Sequence, residues 1–234
     1  MIEYVTLLNS AGRHRDCLDA IMGHTFRPWE GAEGKVSTQY KVSLTEMAKE
    51  CLGKGDPAGA KEYLERSLEL PLNLGEGRLE GTKDNNIWFL LGSVKEALGE
   101  EDAKACFEKA TLGTDEPAGM MYYYDQPADM ILCKGLAFEK LGEHRAACAC
   151  FNKLIDYGER HVRDEVRIDY FAVSLPDFLI FEDDLTKRNE AHCYYLMGLG
   201  SLGLGNSEKA AACFDEVLRR DPSHQNAILY RKMC

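Results

Sequence analysis

Residues Glu190 to Pro222 read EAHCYYLMGLGSLGLGNSEKAAACFDEVLRRDP. Counted from Gly198, Tyr194 lies four residues before, Gly205 seven after, Ala210 twelve after, Phe214 sixteen after and Pro222 twenty-four after. The order is large, small, glycine, small, aromatic, proline, and it describes two helices joined by a tight turn. Gly198 is small enough to let a second helix approach the first. Ala210 meets the same need from the second helix, and Phe214 fills the space that remains. Gly205 lets the chain reverse, because it tolerates positive φ.

The same phase runs backwards through the chain. Inter-helix glycines recur at Gly12, Gly55, Gly99, Gly142 and Gly205, with spacings of 43, 44, 43 and 63 residues. A small or apolar residue follows each one, at Cys17, Ala60, Ala103, Ala147 and Ala210. Four residues later comes a large one, Ile21, Leu64, Phe107, Phe151 or Phe214, and the third unit is one residue short between Gly99 and Ala103. The pattern resembles the tetratricopeptide (TPR) repeat, whose minimal period is about 34 residues. The resemblance implies an all-α, right-handed TPR-like helical solenoid of about five helix–turn–helix units, with long inserts between repeats. One domain over 1–234 is expected, with units near 1–23, 39–69, 84–112, 127–156 and 187–219 and a closing helix at 223–233. Asp56-Pro57 predicts a cap and a first-turn proline for one helix, and Ser223 an N-cap for the last. Met1 falls almost at mid-helix, so the chain is expected to be the C-terminal part of a longer protein, since solenoids need capping ends.

Composition narrows the function classes. The net charge is −11 over 234 residues, and no basic stripe exists to replace phosphate counterions. Nucleic acid and anionic membrane surfaces are disfavoured as partners. No run approaches the roughly 18 apolar residues of a membrane helix. Nine scattered cysteines without a C-x-x-C read as small apolar residues in a reducing, cytoplasmic setting.

The residues beyond the minimal period all fall after the second helix of a unit, at 24–39, 71–86, 113–129 and 156–190. Insertions at one phase emerge on one edge of a solenoid, often its binding face. These inserts carry Trp29, Tyr122, Tyr123, Tyr124, Tyr170, Phe171, Phe178 and Phe181, which predicts ordered, packed segments. The last is expected to hold helices near 159–171 and 175–182. The runs AGRHRDCLDAIMGHTFRPWEG (11–31), GTDEPAGMMYYYDQPADMI (113–131) and IDYFAVSLPDFLIFEDDLTKRNEAHCYYL (168–196) carry a narrower resemblance. They are similar to the C-terminal TPR region of large bacterial proteins in which a β-rich domain of uncharacterised function precedes the repeats. That resemblance supplies no activity and no catalytic residue.

Two candidate surfaces follow. The inner helices of a TPR array line a groove, which by repeat phase includes Asn9, Thr45, Lys49, Asn86, Phe89, Asp129, His192 and Tyr195. Only Lys49 among them is a cation, so a clamp for a terminal carboxylate is disfavoured. The second surface is an insert rim of His24, Arg27, Trp29, Glu30, Tyr123, Tyr124, Asp125, His161 and Tyr170. Aromatic platforms beside polar groups suit sugar recognition, whereas the plainer reading has these aromatics sealing the inserts onto the solenoid. No zinc spacing, phosphate loop or nucleophile elbow is present, so no metal, cofactor or activity of its own is expected. The favoured function is a scaffold docking a protein or peptide, including a missing N-terminal region or a second copy. The alternative is a carbohydrate site shared with that missing region.

Overall fold

In the computed structural model, residues 1–27, 33–78, 82–120, 126–167 and 184–234 are described. Among them every regular element is helical. They form two compact units, Met1–Ala110 and Thr111–Cys234. The first contains α1 (Ile2–Ser10), α2 (His14–Met22), α3 (Lys35–Gly53), α4 (Pro57–Ser67), α5 (Asn85–Leu98) and α6 (Ala103–Ala110). The second contains α7 (Ala128–Lys140), α8 (His144–His161), α9 (Leu185–Gly203), α10 (Ser207–Arg220) and α11 (Gln225–Arg231).

Five hairpins close in the same way. Gly12, Gly55, Gly99, Gly142 and Gly205 all have φ between 72° and 79°, a region costly for any residue with a Cβ. The next residue's N–H then reaches back five positions, from Arg13 to Leu8 O, Asp56 to Cys51 O, Glu100 to Lys95 O, Glu143 to Phe138 O and Asn206 to Ser201 O, all at 2.8–2.9 Å. This is a Schellman closure, which satisfies carbonyls that the helix end would leave unpaired. Each following helix then starts at once. Asp56 and Asn206 accept the N–H groups of Gly59 and Lys209 at 2.9 and 3.0 Å, and Pro57 opens its helix where no N–H is needed.

Within each unit every helix packs on the next, and first helices also touch, α1 on α3 and α7 on α9. That neighbour-only order is a helical solenoid. Inside the hairpins a small residue faces a large one. A Cβ added to Gly92 would lie 2.7 Å from Phe107, one on Gly135 2.3 Å from Phe151, and one on Gly198 2.6 Å from Phe214. The two earlier hairpins share that volume differently: Val5 with Ile21 in one buried cluster, and Ala48 with Leu64 in another. A smaller partner on the second helix goes with a larger one on the first.

Helix α3 starts at Lys35, four residues before the predicted 39, so the first insert is shorter. Helix α8 runs on to His161, beyond the predicted 156. Of the helix expected at 159–171, residues 159–161 are the end of α8 and 162–167 are not helical. The remainder, with the helix expected at 175–182, lies outside the described residues. The expected cap Ser223 is corrected: His224 Nδ1 accepts the Ala227 N–H at 3.1 Å, while Ser223 bonds Asp221 in the preceding turn.

Candidate functional site

The first two inserts fold against each other in the first unit. The Phe26 N–H donates to Asn73 O at 2.7 Å, and Asn73 Nδ2 donates to Ile21 O and His24 O at 2.9 and 2.8 Å. The Glu76 carboxylate accepts the Gly34 N–H and the Ser37 hydroxyl at 2.9 and 3.0 Å. Leu74 is fully buried among Val5, Leu8, Leu18 and Tyr40. These bonds belong to packing, and they leave His24 and Arg27 exposed. Of the expected rim, Trp29, Glu30, Tyr123, Tyr124, Asp125 and Tyr170 lie outside the described residues. His161 sits on α8, its Nδ1 2.7 Å from Asp164 and its ring 4.4 Å from that of Tyr157.

The groove residues separate by depth. Asn9 is fully buried: its amide donates to Gln39 O and Oε1, and its carbonyl oxygen accepts from Ser43 and faces His14 Nδ1, all within 3.0 Å. It ties α1, α2 and α3 together and is not open to a ligand. Thr45 is 5% exposed and returns its hydroxyl to Lys41 O. Lys49 is paired with Glu46 on its own helix. Asn86 and Phe89 are half-buried on α5, with the Phe89 ring 6.2 Å from Phe107. Asp129 and Tyr195 are 8% and 5% exposed, and burial pushes the Tyr195 phenol well above its ordinary pKa, with Asp129 adding to the shift. His192 of the expected groove lines an open cleft.

That cleft, of about 800 Å³, lies in the second unit where helix starts converge. Its walls are Gln126–Ala128 at the start of α7, Asp184 to His192 at the start of α9, Arg220 at the end of α10 and Asp221–His224 leading into α11. Residues Ala118–Met120 of the third insert close one side. Several bonds hold that insert down. Lys134 Nζ donates to Gly113 O at 2.7 Å, Gln126 Nε2 to Thr114 O at 2.9 Å, and Lys153 pairs with Asp115 and Glu116. The His192 ring is hydrogen-bonded to Ala118 O through Nε2 at 2.8 Å, so it carries its proton there. Burial pulls the His192 pKa below the usual imidazole range, which keeps the ring neutral near pH 7.

The cleft is a mixed surface. Ala128, Ala191, Pro127, Pro222 and Gly119 supply small apolar or backbone contacts. Lys187 and Arg188 are exposed cations on the first turns of α9. Arg220 is held by Glu190 and Glu216 and lies 4.6 Å over the Tyr194 ring. Asp184 accepts the Lys187 N–H at 3.0 Å as the α9 cap. The sequence reading missed Lys187, Arg188, Pro222 and His224, because they come from the starts of separate helices. Their signal was the cap-and-cation run Asp184 to Arg188. Burial disfavours the reactive thiolate at five cysteines: it pushes Cys17, Cys106, Cys150 and Cys213 up and Cys193 to about 12. Among the described residues no group of three potential metal ligands exists, and no helix is long and apolar enough to cross a membrane.

Solved structures with similar helical order include a tetratricopeptide repeat protein from Parabacteroides merdae. It is 18% identical, with 82% of this chain and 57% of that chain covered and a TM-score of 0.30. This chain therefore spans 57% of the length of that protein. YrrB, described as a TPR protein with an unusual peptide-binding site, is 14% identical, with 100% and 90% covered and a TM-score of 0.31. MamA from Desulfovibrio magneticus is 16% identical, with 83% and 86% covered and a TM-score of 0.29. Residues 128–157 and 191–224, which carry the α7–α8 and α9–α10 hairpins, match the tetratricopeptide repeat family model.

Proposed function

We propose that this chain is a protein-docking module, and that the cleft of the second unit receives an extended segment of a partner protein. The observation that carries the reading is the cleft itself: about 800 Å³, lined in part by residues of the matched repeats and walled by a tied-down insert. Its size suits a few side chains of a peptide. Its small apolar side chains provide contact area, and its backbone edges and the Ser223 hydroxyl fix orientation. The starts of α7 and α9 lie in its wall and turn their positive dipole ends toward it. With exposed Lys187 and Arg188 beside them, an acidic side chain on the partner segment is favoured despite Asp184 and Asp221.

The test begins with peptides selected from a random library against the full chain. Lys187→Glu is expected to weaken a selected peptide roughly tenfold in calorimetric titration, and Ser223→Trp, which fills the mouth from an exposed position, by at least as much. Neither change touches a buried residue, so both variants keep the wild-type fold. Unchanged affinity in both would remove the cleft from the reading.

A further inference from the structure

We infer that His224 is a proton-operated cap on α11: its neutral ring holds that helix in place, and its protonated ring releases it. The cap itself stands on geometry. Nδ1 of His224 accepts the N–H of Ala227 at 3.1 Å, a role that needs a lone pair on Nδ1 and the proton on Nε2. Protonation turns this acceptor into a donor. It leaves the Ala227 N–H without its partner and places a positive charge at the positive end of the helix.

Helix α11 has seven residues, so the loss of one cap weighs heavily on it. The helix covers part of the unit's core. Ala227 and Leu229 are 0% and 9% exposed, and the Tyr230 ring stacks 6.3 Å from Phe214. The His224 ring lies 4.9 Å from Tyr195 and forms part of the cleft wall. Release of α11 therefore unwalls the cleft and uncovers Tyr195 and Phe214. This consequence for docking rests on the function proposed above, whereas the cap does not.

The charged neighbours fix the direction. In the turn before the cap, Asp221 favours the protonated ring. On α9, His192 opposes it by charge repulsion once charged, and Lys187 and Arg188 border the same cleft. Tyr195 on α9 is neutral. On α10, Arg220 is neutralised by Glu190 and Glu216. On α7, Asp129 lies beside Tyr195. Burial outweighs Asp221 and pulls the His224 pKa below its ordinary 6.5. A depressed histidine pKa means that the unfolded helix binds the proton more tightly than the folded one. The cap is thus intact above about pH 6.5 and is lost as the pH falls through the lower folded value.

Hydrogen exchange of the segment 221–234 in the full chain, corrected for intrinsic rates, tests this at pH 7.5 and 5.5. Wild type is expected to lose protection at the lower pH, by up to about tenfold, the ceiling that one histidine of ordinary unfolded pKa sets over this interval. His224→Asn, whose amide oxygen caps without titrating, should stay protected at both, and His224→Ala should be weakly protected at both. Equal wild-type protection at the two pH values would overturn the cap. So would a loss in His224→Asn matching that of wild type, since His192 would then be the titrating group. If the cap switches as expected but a selected peptide binds equally at both pH values, the cap stands and the docking reading loses its link to α11.

Discussion

Phe151→Ala is expected to cost about 3–5 kcal/mol of stability, read from urea unfolding of the full chain. The ring is 1% exposed and is enclosed from two sides. A Cβ on Gly135 of its own hairpin would lie 2.3 Å from it, and one on Gly203 of the next hairpin 2.2 Å. Truncation leaves a cavity bounded on those two sides by glycine-bearing helices, whose backbone cannot collapse into it. The converse change, Gly135→Ala, should cost about 1–3 kcal/mol by crowding, although alanine is the better helix former by about 1 kcal/mol. Combined with Phe151→Leu, it should cost clearly less than the sum of the two single changes, because Ala48 with Leu64 is the same solution in another hairpin. Additive costs, within about 0.5 kcal/mol, would contradict the pairing.

The contact between α8 and α9 also runs against backbone. Gly158→Val is expected to cost about 3 kcal/mol, which lowers the Tm by roughly 6–12 °C. A Cβ at Gly158 would lie 2.6 Å from the backbone oxygen of Cys193 and equally close to Met197 Cγ. The reciprocal contact is a Cβ at Gly200, 2.5 Å from the backbone oxygen of Phe151. Side chains can rotate away from a clash, but helix backbone cannot, so α8 and α9 would have to separate along their length. A Tm within 2 °C of wild type in a thermal scan would show that these helices are not in backbone contact.

Much of the fold was legible in the sequence for physical reasons. A Schellman closure demands positive φ, so Gly12, Gly55, Gly99, Gly142 and Gly205 had to stand where they do. Gly198 with Phe214 announced close packing, because a missing side chain sixteen residues before a large one suits facing helices. The Val5–Ile21 and Ala48–Leu64 pairs were less legible, since their volume is shared and neither residue is unusual. The site was much less visible. Repeat phase names a helix face, but not how deeply a neighbouring helix covers it. Asn9 and Thr45 lie on the expected helices and are nevertheless sealed by their neighbours. The cleft draws on the starts of α7 and α9, the turn leading into α11 and the third insert, which meet only after the hairpins stack. His224 took the capping role expected of Ser223 because the turn places its ring nitrogen, one residue later, over the open N–H of Ala227.

The most direct measurement is an exchange footprint of a library-selected peptide bound to the full chain. Slowed exchange is expected in Ala118–Met120, in the start of α9 through His192, and in Asp221–His224, with α1 to α6 unchanged. A footprint confined to the first unit, or binding that leaves these three segments untouched, would contradict the assignment of the cleft as the docking site.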